Sequence, residues 1–252
     1  MSGTTRAVPC VLSAAAALAA AAASAQTPAA AENRSVRDTA PVDLTGYWVS
    51  VVTEDWMFRM VTPPKGEFLG VPLNAEGRRV ANAWDPAADE AAGEACRAYG
   101  APALMRIPGR LAIAWEEGGD VLRIDAEAGM QTRRLHFDAE PPAGLAPTLQ
   151  GYSVAEWEID AGPEKHGNLK VETTQLSGGY LRKNGVPYGA RARLTEYFDV
   201  YDAPNGDTWL VVTSIVTDPE YLTTPFITSS HFKKLDPSDG RKFFEPVACT
   251  AR

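Results

Sequence analysis

The sequence predicts a mainly β protein: an antiparallel up-and-down barrel of about ten strands, with one or two short helices inserted after the first strand. Three observations carry this. From about residue 101, apolar-rich runs of roughly five to ten residues succeed one another. Turn chemistry separates them: Gly118-Gly119-Asp120, Gly129, Gly162-Pro163, Gly167-Asn168, Asn205-Gly206-Asp207 and Asp218-Pro219. No helical crossover pattern lies between them, so successive strands should pair antiparallel. Closing such a meander removes its exposed edges.

The chain opens on "MSGTTRAVPCVLSAAAALAAAAASA". One cation, Arg6, precedes an alanine-rich run that ends on Ala23-Ser24-Ala25. This is the layout of a secretory signal peptide over residues 1–25. The run is too poor in strongly apolar residues for a membrane span, and no later segment is long enough for one. The expected location is periplasmic or extracellular. Residues 26–42 are Ala/Pro/polar and read as a disordered leader. A single barrel domain is expected over 43–252, a size that suits one β domain. Its first strand is "DLTGYWVSVVT".

The next stretch has a different texture. "NAEGRRVANAW" reads as a short helix capped by Asn74, and "PAADEAAGEACRAY" as a second one begun by Pro86. The β runs follow: "APALMRIP", "RLAIAWEE", "DVLRIDAE", "QTRRLHFD", "YSVAEWEID", "NLKVETTQL", "ARLTEYFDVY", "DTWLVVTSIV" and "PFITSSHFKKL".

Composition excludes some functions. The formal net charge is −8, which argues against binding a phosphate backbone and against anionic membrane surfaces. A hydrophobic share of 45% is enough for a substantial core. Beyond the leader two cysteines remain, Cys96 and Cys249. An even count in an oxidising compartment predicts a disulfide that ties the C-terminal tail back to the segment near Cys96.

The "GYW" strand, with Gly46 and Trp48 as a Gly-x-Trp, followed by a meander and a late disulfide, resembles the lipocalin-like (calycin-type) barrels. "DLTGYW", Cys96, "EWE" at 156–158 and "DPEYLTTPF" at 218–226 are similar to a large group of uncharacterised secreted bacterial proteins. The resemblance implies a barrel but no particular catalytic residues.

Strand periodicity selects candidates for chemistry. In "LTEYFDV", Glu196 shares a face with Leu194, Phe198 and Val200. A carboxylate on an apolar face is either a proton-transfer group or the buried partner of an arginine. His231 shares a face with Ile227, Ser229 and Lys233 in "PFITSSHFKK", and reads as a general base or ligand donor, or as a hydrogen-bonded core or rim histidine. The three histidines are scattered, so no metal site is expected. The long excursion "EDWMFRMVTPPKGEFLGVP" carries Trp56, Phe58 and Arg59, and an arginine among aromatics suits an anionic or phenolic ligand. The stretch "GGYLRKNGVPYG", 178–189, spends a dozen residues where a tight turn would serve. Its Tyr180, Arg182 and Tyr188 are candidate substrate contacts, and the stretch reads either as a polar lid or as a connector. No Gly-rich phosphate loop, Gly-x-Ser-x-Gly elbow or Cys-x-x-Cys occurs, so no organic cofactor is expected.

Three readings follow. One is cofactor-independent acid/base chemistry, of lyase or isomerase type, on a small apolar or aromatic molecule, with Glu196 and His231 catalytic. The alternative is a non-catalytic carrier of a small hydrophobic ligand. The third is a plain structural role, if side chains fill the barrel. The oligomeric state is left open.

Overall fold

The structure, a computed structural model, describes residues 1–4, 35–137, 139–161 and 166–252. The expected signal peptide and most of the leader lie outside the described residues. A short helix α1 (Val36–Thr39), closed by a capping box between Ser35 and Asp38, stands before the expected first strand, within the stretch expected to be a disordered leader.

Eleven strands follow the chain order β1 (Gly46–Val51), β2 (Arg110–Trp115), β3 (Val121–Ala126), β4 (Gln131–Phe137), β5 (Tyr152–Ile159), β6 (Gly167–Thr174), β7 (Gly179–Arg182), β8 (Val186–Tyr188), β9 (Arg193–Asp202), β10 (Thr208–Thr217) and β11 (Phe226–Lys234). Nine close a barrel in the order β1-β11-β10-β9-β6-β5-β4-β3-β2, while β7 and β8 pair apart from it. The first strand closes the circle: Trp48 faces Lys234 of β11 on one side and Leu111 of β2 on the other.

Two expectations are corrected here. The barrel is mixed, because β4 and β5 pair parallel, Leu135 opposite Ser153 and Phe137 opposite Ala155. The connection between them carries Pro141, Pro142, Gly144 and Pro147 and returns along the barrel before β5 begins, as a parallel pair requires. "APALMRIP" is not a strand. It forms α5 (Ala101–Leu104), with Pro102 in its first turn and all four residues buried. A short apolar run has the same pattern in a buried helix as in a strand.

The helical insert matches its sequence signals. Helix α2 (Trp56–Arg59) follows β1. In α3 (Ala75–Ala83), the Asn74 side chain accepts from the Gly77 N–H. Helix α4 (Pro86–Ala91) starts on Pro86, with Asp85 as its N-cap. A 3-10 turn over Ala95–Tyr99 leads to α5. Helix α6 (Pro237–Phe243) follows the last strand.

Inward-facing side chains fill the barrel. Trp48, Ile113, Leu122, Ile124, Leu135, Leu169, Val171, Phe198, Leu210, Val212 and Phe232 belong to one buried cluster. Trp48 is anchored by its indole N–H, which donates to the Leu44 carbonyl at 2.9 Å, and Lys234 lies over its ring at 5.2 Å. The end of the barrel reached by the last residues of β1 is covered by the 52–109 insert and by the β7–β8 hairpin. Leu73, Ala81, Leu181, Val186, Tyr188 and Phe226 form a second cluster there. The chain crosses Cys96–Cys249 as a disulfide, with Cα atoms 5.1 Å apart. Among the described residues, no helix is long and apolar enough to cross a membrane.

Candidate functional site

Glu196 points inward from β9 and His231 outward from β11. The structure therefore does not bring them to one cavity. Glu196 and Arg133 are both fully buried, and they form a two-pronged ion pair at 3.1 and 2.6 Å. Ser153 and Thr173 accept from the same guanidinium at 3.4 and 3.3 Å, and the Ser214 hydroxyl reaches Glu196 at 3.5 Å. The carboxylate is thus held as the partner of an arginine, in a shell of hydroxyls with no path to solvent. His231, about a quarter exposed, meets Glu54 through Nδ1.

The stretch 178–189 is not a solvated connector, and it covers the filled barrel end as a packed hairpin rather than as a polar lid over an open mouth. Residues of β7 and β8 are all buried. Lys183-Asn184-Gly185 makes the reversal, with Gly185 at φ +80°, where a side chain would also run into the Trp84 ring. Asn184 donates to the Pro64 and Glu67 carbonyls at 3.1 and 2.9 Å and so ties the hairpin to the first excursion. Tyr180 donates to Asp89 beneath the Arg97 guanidinium. Tyr188 is buried, and its hydroxyl has no hydrogen-bond partner among the described residues. Trp56 stands in solvent, 62% exposed.

Arg59 and Arg182, 123 positions apart in sequence, do come together. They line one cleft with Phe58, Arg106, Ile107 and Leu181. Arg59 is the last residue of α2, Arg106 follows α5, and Arg182 ends β7. Each is buried, at 8%, 5% and 4% exposure. Arg59 donates to the Arg106 carbonyl at 2.8 Å and to Glu54 at 3.1 Å. Arg106 pairs with Asp55 at 3.1 Å. Arg182 stacks its guanidinium on Phe58 at 4.5 Å, yet among the described residues its Nε and Nη1 have no hydrogen-bond partner, and neither has Nη2 of Arg59.

The electrostatics follow from this crowding. Burial first, then the neighbouring Arg106 charge, pushes Arg182 down to about 10. Burial likewise lowers Arg59 and Arg106. At neutral pH all three remain cations. Glu54 and Asp55 pair directly with Arg59 and Arg106, whereas Arg182 makes no direct ion pair among the described residues and feels Asp55 and Glu67 only at longer range. An unpaired buried charge with unsatisfied donors is costly. An anion in the cleft would supply both the charge and the acceptors.

Arg106 is the residue that sequence reading missed. Its signal was a single cation in the middle of "APALMRIP", set aside when that run was read as a strand. Among the described residues no cluster of three or more His, Cys, Asp or Glu could hold a metal ion.

Comparison with known proteins finds no family model, no curated protein and no solved structure that matches this chain. The site must therefore be read from its own chemistry.

Proposed function

We propose that this is a secreted, lipocalin-like binding protein that takes up a small molecule carrying a negative charge. The ligand's anionic group sits in the cleft of Arg59, Arg106 and Arg182 rather than in the filled barrel. The observation that carries this reading is the buried Arg182 guanidinium, stacked on Phe58 with two donors that meet no acceptor among the described residues, in a protein that is acidic overall. Buried arginine suits oxyanions, because its donors are fixed in a plane and its charge persists at every physiological pH. The test is calorimetric titration of the protein, expressed without its leader, with sodium acetate and with inorganic phosphate. Saturable binding that is lost in Arg182→Gln is expected. Unchanged affinity in that variant would refute the assignment, as would the absence of any anion binding.

One contact favours a second reading, in which the protein also acts on its ligand. His231 meets one oxygen of Glu54, and the other oxygen pairs with Arg59 of the cleft. A carboxylate that orients an imidazole is a known way to build a general base. On this reading His231, and not Glu196, moves the proton of a lyase or isomerase step. Ligands that co-purify with wild-type protein and with His231→Ala, identified by mass spectrometry, separate the two readings. Identical molecules from both proteins mean carriage alone.

A further inference from the structure

The arginine cleft is small. Its volume is about 40 Å³, whereas pockets that enclose a whole drug-sized ligand run to roughly 300 Å³ or more. There is room for an oxyanion group and little else, so most of any larger ligand must lie outside. What lies immediately outside is unusual. Helix α2, which turns Phe58 and Arg59 inward, carries Trp56, Met57, Met60 and Val61 on and just after its outer side, at 62%, 60%, 59% and 69% exposure. Four of six consecutive residues are thus large apolar groups in water, in a segment that also supplies the wall of the cleft. Leu69, further along the same excursion, is 70% exposed. Contiguous exposed apolar surface of this kind marks a binding surface in soluble proteins, and methionine adapts to apolar partners of varied shape.

Taking the anion reading above as its basis, we infer that the ligand is a single-chain amphiphile. Its carboxylate or phosphate head occupies the Arg59–Arg106–Arg182 cleft, and its apolar chain lies outside, along Trp56, Met57, Met60 and Val61. The two halves of the site complement each other. The head answers the unpaired donors of Arg182, and the chain covers side chains that would otherwise meet water. A soluble anion without a chain satisfies only the first half. A neutral chain without a head satisfies only the second.

Titration with a series of straight-chain carboxylates tests this: acetate, hexanoate, octanoate and decanoate, all kept below micelle formation, with 1-decanol as the uncharged control and hexyl phosphate as the alternative head. Affinity should rise about twofold per added methylene, as expected for methylenes that are half removed from water. Hexyl phosphate should bind at least as well as hexanoate, and decanol more weakly than decanoate by at least tenfold. The triple variant Trp56→Ser/Met57→Ser/Met60→Ser touches only exposed side chains, so its fold should persist. It should flatten the chain-length dependence while acetate still binds. Arg182→Gln should weaken every charged member of the series. Equal affinity for acetate and decanoate would overturn the amphiphile and leave the anion site standing. Equal affinity for decanol and decanoate would overturn both.

Discussion

Arg133 and Glu196 show what a single buried charge costs when its partner is taken away. In Glu196→Gln the guanidinium keeps its place beside Ser153 and Thr173 but loses its counter-charge. A stability loss of about 3–5 kcal/mol is expected from chemical denaturation. Replacing both members, Arg133→Met with Glu196→Leu, should recover most of it, because two apolar groups need no mutual compensation. If the double variant is as unstable as the single one, the pair is not the energetic unit described here. Arg182 should behave in the opposite way. It makes no direct ion pair among the described residues, and burial outweighs the longer-range pull of Asp55 and Glu67, so Arg182→Gln should leave unfolding free energy unchanged or raise it by up to about 1 kcal/mol in ligand-free protein, while anion binding disappears. Function and stability would then be opposed at that position, as is common where a site is held ready for a ligand.

At the scale of elements, the cap over the barrel end is held by tail, disulfide and hairpin together. The Ala251 N–H donates to Glu90 at 2.7 Å, the Val247 N–H to the Glu127 carbonyl at 2.8 Å, and Lys183 reaches Thr250 at 3.0 Å. Cys96 and Cys249 close a loop of 153 positions. In the chain-entropy account, opening a loop of that length costs about 5 kcal/mol of stability. A thermal melt in the presence of a reductant should therefore show a large drop in Tm. Ala98, two residues from Cys96, lines the arginine cleft, so reduction should also weaken anion binding. An unchanged melt would mean that the cap is held by packing alone. Helix α3 depends on a single cap. Asn74→Ala removes the acceptor for Gly77 and the donor to the Glu220 carbonyl, and should cost about 1 kcal/mol or slightly more.

For the whole molecule, the buried tyrosines set the alkaline limit. Burial holds Tyr180 and Tyr188 well above the ordinary tyrosine value, and Tyr221 is pushed up to about 12. In the unfolded chain these phenols ionise near 10. Their contribution is complete below about 10 and is lost as pH rises through the higher values of the folded state. Arg182 works against this trend. Its folded value is depressed to about 10, so its unfavourable contribution is present at neutral pH and is relieved as pH rises from about 10 toward its higher ordinary value. Tyr188→Phe isolates one term. At pH 8 the variant should match or exceed wild type, since the hydroxyl it removes has no partner. At pH 11 its advantage should widen. Denaturation midpoints at the two pH values check this, and a constant difference would mean that Tyr188 is not a titrating contributor.

What could be read from the sequence was whatever is encoded in short-range pattern. Alternation located the nine barrel strands, Asn74 and Pro86 announced two helix starts, and the cysteine count anticipated the bridge between Cys96 and Cys249. It also grouped Glu196 with Leu194, Phe198 and Val200 on one apolar face, but it did not separate the outward His231 from the barrel interior. Arg59 and Arg182 were singled out separately, each as a cation beside aromatics. Tertiary structure alone decided the rest. Pairing across the barrel determined that Glu196 meets Arg133, because the partner of a buried charge comes from a different strand and leaves no local trace. The parallel contact of β4 with β5 depends on the path of a proline-rich connection. The cleft exists because three arginines, from α2, from the turn after α5 and from the end of β7, are gathered by folding. Period and composition describe neighbours along the chain, whereas a binding site is made of neighbours in space.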